Sequence, residues 1–406
     1  MSKINSTLDL NELLGIIMTT AAEVVQAKAA SLMLLDEGLQ ELVFKVALGS
    51  KGSVLKEKFR VKLGEGIAGW VAQKGESLII NDTKSDKRFA VRFDEATGFQ
   101  SKAIIGVPMK AKGKIIGVLE AINPLGRDIF SRDDLALFET FADQAAISVE
   151  NARLHEALVK QELAQRELKI AREIQQSFLP NLNDMTLGID ISCQNAPARE
   201  VGGDFYDVVK VHDAKIGIII GDVSGKGVPA SLYMVRAISD SRFLAPRYGD
   251  PAAFLGQLND RLVKDSRFGI FTTLVYLTID TRENTILYAS AGHHPIIRRP
   301  SSGKVEVMKG ETGIPLGLFK KIDYFVNKVE IAPNDVFVLY TDGVTEAENS
   351  TGKDYGIERL EQSLQKECAS AQAYSDQIFR NLAEFTRGAE QHDDMTLITL
   401  MPCPKR

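Results

Sequence analysis

Residues 218–234 read IIIGDVSGKGVPASLYM. The isoleucines make a short apolar run of the kind that fills a buried strand. Gly221 ends the run, and Asp222 stands where the chain leaves the core. Glycines 225 and 227 then give a loop, and a helix is expected after Pro229. The stretch is therefore strand, glycine-rich loop, helix, with a carboxylate at the strand's end. It lacks the G-x-x-x-x-G-K-[ST] spacing of a phosphate-cradling loop.

The same arrangement recurs around it. Asp204 lies in VGGDFYD (201–207), Asp342 in FVLYTDGVTEA (337–347), and Asp393 and Asp394 in QHDDMTLITL (391–400). Glycines 202, 203, 221, 225, 227 and 343 allow close backbone approach or positive φ beside these acids. One such aspartate alone reads as a turn or cap residue. Several of them converging would repel in a low dielectric unless cations compensated, and hard divalent ions prefer oxygen ligands.

Outward from this core, residues 186–403 carry a β-rich pattern. Strands are expected at 208–211, 215–220, 272–279, 285–291, 296–299, 305–308, 336–340 and 395–400. Helices are expected after Pro229 and over 251–264, 356–365 and 371–385. Strand runs with interspersed helix pairs imply stacked sheets flanked by helices.

Upstream, residues 131–179 contain neither proline nor glycine. Ser131, with Asp134 three residues on, reads as a helix start, and Pro180 closes the helix. Leu135, Phe138, Ala142, Ala145, Val149, Ala152, Val159, Leu163 and Ile170 approach a heptad seam, interrupted by Glu156 and Arg166. The seam predicts a dimeric coiled coil linking two domains. Before it, a helix over 8–27, strands at 30–35 and 42–48, and a hairpin turning at 112–113 give an α/β pattern.

The whole chain has 406 residues, 25% of them charged, with a formal net charge of −5. That length accommodates two domains, and the charge argues against a dedicated nucleic-acid binder. The N-terminus lacks a signal-peptide pattern, and no apolar run is long enough to span a bilayer. Cys193, Cys368 and Cys403 form no C-x-x-C pair, which excludes a cysteine zinc site and makes a reducing cytoplasm the expected location.

Two resemblances sharpen this reading. LGEGIAGWV (63–71), SLIIND (77–82), SKAIIGVPM (101–109), IIGVLEAIN (115–123) and FSRDD (130–134) resemble a GAF domain, a sensory fold. Cyclic-nucleotide-binding members carry an Asn-Lys … Phe … Asp-Glu signature. Here Asn123, Phe130 and Asp134 remain, while Pro124 and Leu135 depart from it, so the resemblance implies an unidentified small-molecule or protein signal. Trp70 is expected in the core of this unit. The ordered set REIQQSFLP (172–180), APAREVGGDFYD (196–207), IIIGDVSGKGVPASLYM, LYASAGHHP (287–295), GIPLGLF (313–319), LYTDGVTEAEN (339–349) and DDMTLITL (393–400) resembles the PPM family of metal-dependent serine/threonine phosphatases, in its bacterial SpoIIE/RsbU-like branch.

Together they imply an α+β multidomain chain. Its parts are a GAF α/β sandwich over 1–130, a linker helix over 131–180, and a PPM α-β-β-α sandwich over 181–406. The second resemblance further implies two Mn²⁺ or Mg²⁺ ions that activate a water to hydrolyse phosphoserine or phosphothreonine. Asp222 would bridge the ions, assisted by the Val223 carbonyl. Asp342 and Asp393 would hold one ion and Asp204 the other, with Asp394 and Asp207 as second choices. The phosphate-gripping arginine of fuller members has no clear counterpart; Arg199 precedes the motif. His293, His294 and Lys226 lie in loops where contact with substrate competes with an ordinary turn role. The implied substrate is a phosphorylated STAS-type anti-sigma-factor antagonist, and the implied assembly is a homodimer without nucleic acid or membrane. The competing expectation is a catalytically silent, GAF-directed scaffold.

Overall fold

A computed structural model describes residues 10–36, 38–49, 52, 55–56, 59–182, 189–212, 215–264 and 269–402. Asp213, Ala214 and Cys403 lie outside these residues. The chain divides into two compact units, Met1–Leu163 and Ala164–Arg406.

The N-terminal unit is built on one antiparallel sheet. Its strands are β1 (Ala27–Asp36), β2 (Glu41–Leu48), β3 (Arg60–Lys62), β4 (Leu78–Ile80), β5 (Ile104–Ala111) and β6 (Lys114–Pro124), in the order β3-β2-β1-β6-β5-β4. Helix α1 (Leu10–Val24) covers one face together with the start of a long helix. Helices α2 (Gly66–Lys74) and α3 (Arg92–Thr97) belong to the other face, where Ile67, Val71, Phe44 and Ile104 are buried together. Trp70 packs at the margin of that core, under the Arg88 guanidinium at 4.6 Å.

The long helix, α4 (Arg132–Gln176), starts on a reciprocal cap. The Ser131 amide and hydroxyl donate to Asp134 Oδ2 at 2.7 and 2.8 Å, and the Asp134 amide donates back to Ser131 Oγ at 3.2 Å. This is a capping box with aspartate in the acceptor position. The heptad reading needs correction over its first part. Phe138, Ala142, Ala145 and Val149 pack into this unit's own core, not into a seam awaiting a partner. Beyond them the apolar residues are open: Leu158, Leu163 and Ile170 are each at least half exposed. Among the described residues, no helix is long and apolar enough to cross a membrane.

The C-terminal unit stacks helix, sheet, sheet and helix. Its strands are β7 (Ile189–Ala196), β8 (Phe205–His212), β9 (Lys215–Val223), β10 (Thr272–Asp280), β11 (Thr285–Ala291), β12 (Ile297–Arg299), β13 (Glu306–Val307), β14 (Thr312–Gly313), β15 (Asn327–Glu330), β16 (Val336–Tyr340) and β17 (Met395–Pro402). One sheet runs β14-β11-β10-β9-β8, with β15 also on β11, and the other runs β13-β12-β16-β17-β7. Helices α5 (Val228–Leu244) and α6 (Pro251–Lys264) bury Met234, Ile238, Phe254 and Leu258 against the first sheet. Two further helices of the unit are α8 (Gly356–Ser363) and α9 (Ala371–Phe385), numbered after the single turn α7 (Asp342–Thr345). They cover the second sheet with Leu360, Tyr374 and Ile378.

This layering explains the unbroken isoleucine run. Ile219 faces the helices, while Ile218 and Ile220 meet Leu339 and Ile398 of the opposite sheet. A strand buried on both faces loses the polar alternation of a half-exposed one. Strands β7, β14 and β15 escaped the sequence reading because they are short or polar. In β7 (IDISCQNA) only one residue is fully buried.

Candidate metal centre

The acidic residues meet because both sheets end at one place. Asp204 leads into β8, whose Phe205 pairs with Gly221, one residue before Asp222 near the end of β9. On the other sheet Tyr340 of β16 pairs with Leu397 of β17, and the Thr341 amide donates to the Thr396 carbonyl at 3.1 Å. Asp342 therefore leaves this sheet beside the point where Asp393 and Asp394 enter it.

Close approach imposes glycine at two of these turns. A Cβ on Gly202 would stand 2.1 Å from Asp394 Oδ2, and one on Gly343 would stand 2.0 Å from the Asp394 carbonyl oxygen. Both distances lie far inside van der Waals contact, so a side chain at 343 would force the loops apart and one at 202 would displace the Asp394 carboxylate.

Each carboxylate has its own surroundings. Asp204 is buried, and its Oδ2 accepts from Thr341 Oγ1 at 2.6 Å and Thr396 Oγ1 at 2.7 Å. Burial and the neighbouring Asp222 nonetheless raise its pKa well above the usual carboxylate range. Asp222 is pushed up to about 7, by burial first and then by the charges of Asp342 and Asp393, with Asp204 in hydrogen-bond reach. Burial and Asp393 raise Asp342 as well, against the Gly343 amide donating to its Oδ1 at 2.8 Å. Asp393 is partly exposed and accepts from Lys226 Nζ at 2.8 Å. The same ammonium donates to the His392 carbonyl at 2.8 Å.

Asp394 and Asp207 stand differently. Both Asp394 oxygens are engaged by backbone amides, Oδ1 by Ala198 at 2.8 Å and Oδ2 by Gly203 at 2.9 Å. Asp394 thus staples the 198–203 loop. Asp207 points to Arg242, which donates from Nε at 2.6 Å and from a terminal nitrogen at 3.1 Å. The structure brings Asp204, Asp222, Asp342 and Asp393 together and leaves Asp207 outside the group. The Val223 carbonyl lies beside them, 2.7 Å from where a Cβ on Gly203 would stand.

Among the described residues, no three His, Cys, Asp or Glu side chains are already gathered in a form that could hold an ion. Asp204 is turned to its threonines and Asp393 to Lys226. The donors still fit a hard dication. They are all oxygens, burial and mutual charge raise the pKa values of Asp204, Asp222 and Asp342, and the Lys226 ammonium is drawn to their rim.

His293 and His294 take separate places. His293 is buried, with Nδ1 2.8 Å from Thr273 Oγ1, on the residue paired with Asp222. Burial lowers its pKa to about 3, so the ring is neutral. His294 stacks on Tyr340 with ring centres 5.5 Å apart.

Sequence reasoning missed Thr341, Thr396 and Gln175. The threonines adjoin the acidic motifs, but an alternating strand gives no sign that two hydroxyls converge on one oxygen. Gln175, near the end of α4, donates to the Gly202 carbonyl at 2.6 Å and accepts from the Gly202 amide at 3.2 Å.

Comparisons with known proteins agree with this architecture. A GAF domain model matches residues 9–149, and the model of stage II sporulation protein E (SpoIIE) matches residues 212–401. The phosphoserine phosphatase RsbU of Bacillus subtilis is 32% identical over 248 residues, covering 60% of this chain and 71% of RsbU. Protein IcfG of Synechocystis is 30% identical over 270 residues, and the match spans 42% of its length. The SiaA-PP2C domain of Pseudomonas aeruginosa superposes with a TM-score of 0.52 at 25% identity, covering 60% of this chain and 98% of that domain. With its GAF unit, its paired sheets and its aspartates at their shared end, the chain belongs to the SpoIIE/RsbU branch of the PPM metal-dependent phosphatases.

Proposed function

We propose that this chain is a divalent-metal-dependent protein serine/threonine phosphatase regulated through its GAF unit. The observation that carries the reading is the convergence of Asp204, Asp222, Asp342 and Asp393, where burial and neighbouring carboxylates raise the pKa values of the first three. Asp204, Asp222, Asp342, Asp393 and the Val223 carbonyl would hold two Mn²⁺ or Mg²⁺ ions. Bound there, such ions lower the pKa of water and neutralise charge on phosphoryl oxygens. Thr341 and Thr396 hold the Asp204 carboxyl group in place. Lys226 brings positive charge to the rim, where an incoming phosphate monoester arrives.

The substrate we infer is a phosphorylated STAS-type anti-sigma-factor antagonist in a partner-switching circuit. The segment 131–180 is inferred to be a linker that pairs with a second copy along the open face of Val159, Leu163 and Ile170. Two contacts support regulation through it. Gln175 grips Gly202, two residues before Asp204, from both sides. Arg242 of α5 joins the Phe178 carbonyl, just past the helix, to Asp207 of β8. A shift of the helix end would move the Asp204 loop and α5 together. A two-state device of this kind needs a signal that binds the two states unequally.

The test is dephosphorylation of candidate phospho-STAS proteins by the whole chain with Mn²⁺ or Mg²⁺, beside Asp222→Asn and Asp342→Asn. Metal-dependent turnover lost in both variants supports the reading. Equal, negligible turnover in all three would leave a silent scaffold. Deleting residues 1–150 is expected to change activity or its metal requirement, and unchanged kinetics would remove the regulatory role.

A further inference from the structure

The N-terminal unit encloses a cavity of about 100 Å³ between its sheet and the segment carrying α2 and α3. Most of its wall is apolar, with Ala30, Phe44, Phe93 and Ile104 among the lining residues. Phe44 and Phe93 meet edge to face, with ring centres 6.5 Å apart. Glu120, from the middle of β6, also lines it. Glu120 pairs in register with Ser31 of β1 and Gly106 of β5, so its position is central in the sheet.

This carboxyl is poorly provided for. Its contact with Ser31 Oγ is long, at 3.5 Å, and a backbone amide at Ala68 assists. Among the described residues, no lysine, arginine or histidine forms an ion pair with it. Burial pushes its pKa up to about 7. Of the other acids in the same wall, Asp94 is satisfied by the Ser101 amide at 2.8 Å and hydroxyl at 2.7 Å, and Glu65 pairs with Arg92 at 2.7 Å. A carboxyl set in an apolar cavity without a counter-charge is stabilised by a cation that brings its own hydrogen-bond donors.

Size narrows the class further. A cavity of roughly 150 Å³ takes a benzene ring. The present one therefore suits a single small ring. We propose that this cavity binds a small, flat cation: one ring carrying adjacent N–H donors that pair with the Glu120 carboxylate while its faces lie among the phenylalanines. This inference concerns the sensory unit and stands whether or not the C-terminal unit hydrolyses phosphate esters.

Calorimetry on the full chain near neutral pH tests it with three five-membered probes of similar size. These are 2-aminoimidazole (cationic), 2-aminothiazole (neutral) and 2-furoate (anionic). The expected result is that 2-aminoimidazole binds about tenfold more tightly than 2-aminothiazole, with no heat from 2-furoate. Glu120→Gln should erase that preference and leave 2-aminothiazole within about twofold. Ser31→Leu, which fills the cavity, should abolish binding of both. Equal affinity of the cation and the neutral probe would overturn the proposal. So would absence of 2-aminoimidazole binding up to about 10 mM. Should Glu120→Gln fail to fold by circular dichroism, persistence of 2-aminoimidazole binding in Ser31→Leu would overturn it as well.

Discussion

Glu120 in the N-terminal unit and Asp222 in the C-terminal unit are both pushed up to about 7, and for different reasons. Glu120 is raised by burial alone, with a serine hydroxyl and one amide working against it. Asp222 is raised by burial and then by Asp342, Asp393 and Asp394. A lone desolvated carboxyl can be satisfied by one proton or one monovalent cation. A crowded set keeps its mutual repulsion after one proton is added, and multivalent positive charge relieves it more fully. Perturbed acidity therefore marks both sites, while the cause of the perturbation tells them apart.

The sharpest way to break this contrast is to remove one carboxylate from each. Asp222→Asn should lower metal-dependent phosphatase turnover by on the order of a thousandfold or more, the scale seen when a central electrostatic group of an active site is lost. Glu120→Gln should leave unstimulated turnover within about twofold. Comparable losses in the two variants would mean that the crowded site has no special part in the chemistry.

A binding measurement separates them next. Saturating Mn²⁺ at about a hundred times its dissociation constant stabilises a folded site by about 2.7 kcal/mol. Thermal unfolding should therefore shift upward by several degrees in the parent chain and in Glu120→Gln. The shift should vanish in Asp222→Asn. A shift that survives in Asp222→Asn would place the ion elsewhere.

The fold was largely legible because burial on both faces writes itself as continuous apolar runs, as at 218–220, and glycine marks each exit. The acidic set was legible for a related reason. A carboxylate directly after a buried strand, beside a glycine that a Cβ would obstruct, has few structural explanations. What stayed hidden depends on side chains meeting across the fold. Thr341 and Thr396 lie 55 residues apart and share one oxygen of Asp204. Asp394 looks like a ligand in the doublet, yet the Ala198 and Gly203 amides occupy both its oxygens. The apolar stripe of α4 reads as one seam, but its first part is spent on the unit's own core. Periodicity reports that a face is apolar and not what covers it.

Acidity gives a smaller effect with a definite sign. Glu120 and Asp222 have folded pKa values above their unfolded ones. Between about pH 4 and pH 7 the folded chain keeps protons that the unfolded chain has released. Stability without added divalent ions should therefore fall as pH rises through that window and level off above it. Denaturant unfolding at several pH values measures the slope. Glu120→Gln and Asp222→Asn should each flatten part of it. Saturating Mg²⁺ should flatten the share owed to Asp222 and leave the share owed to Glu120. A slope insensitive to Mg²⁺ would mean that the two carboxyls are in the same predicament after all.

The smallest expected effect probes how the crowded site is aimed. Thr396 is fully buried, donates to Asp204 Oδ2, and accepts from Asn195 Nδ2 at 2.8 Å. Valine has nearly the same shape, so Thr396→Val removes the hydroxyl without opening a cavity. It leaves Thr341 as the one hydroxyl on that oxygen and deprives the Asn195 amide of its acceptor. A lost charge-assisted hydrogen bond is worth about 1.5–3 kcal/mol. The Mn²⁺ concentration for half-maximal activity should therefore rise by about tenfold or somewhat more, with a smaller change in the maximal rate. Thr341→Val should act alike, and the double variant should depart from the sum of the two, because both hydroxyls serve one atom. If metal activation is unchanged in both single variants, the threonines fill space only, and Asp204 is held by packing.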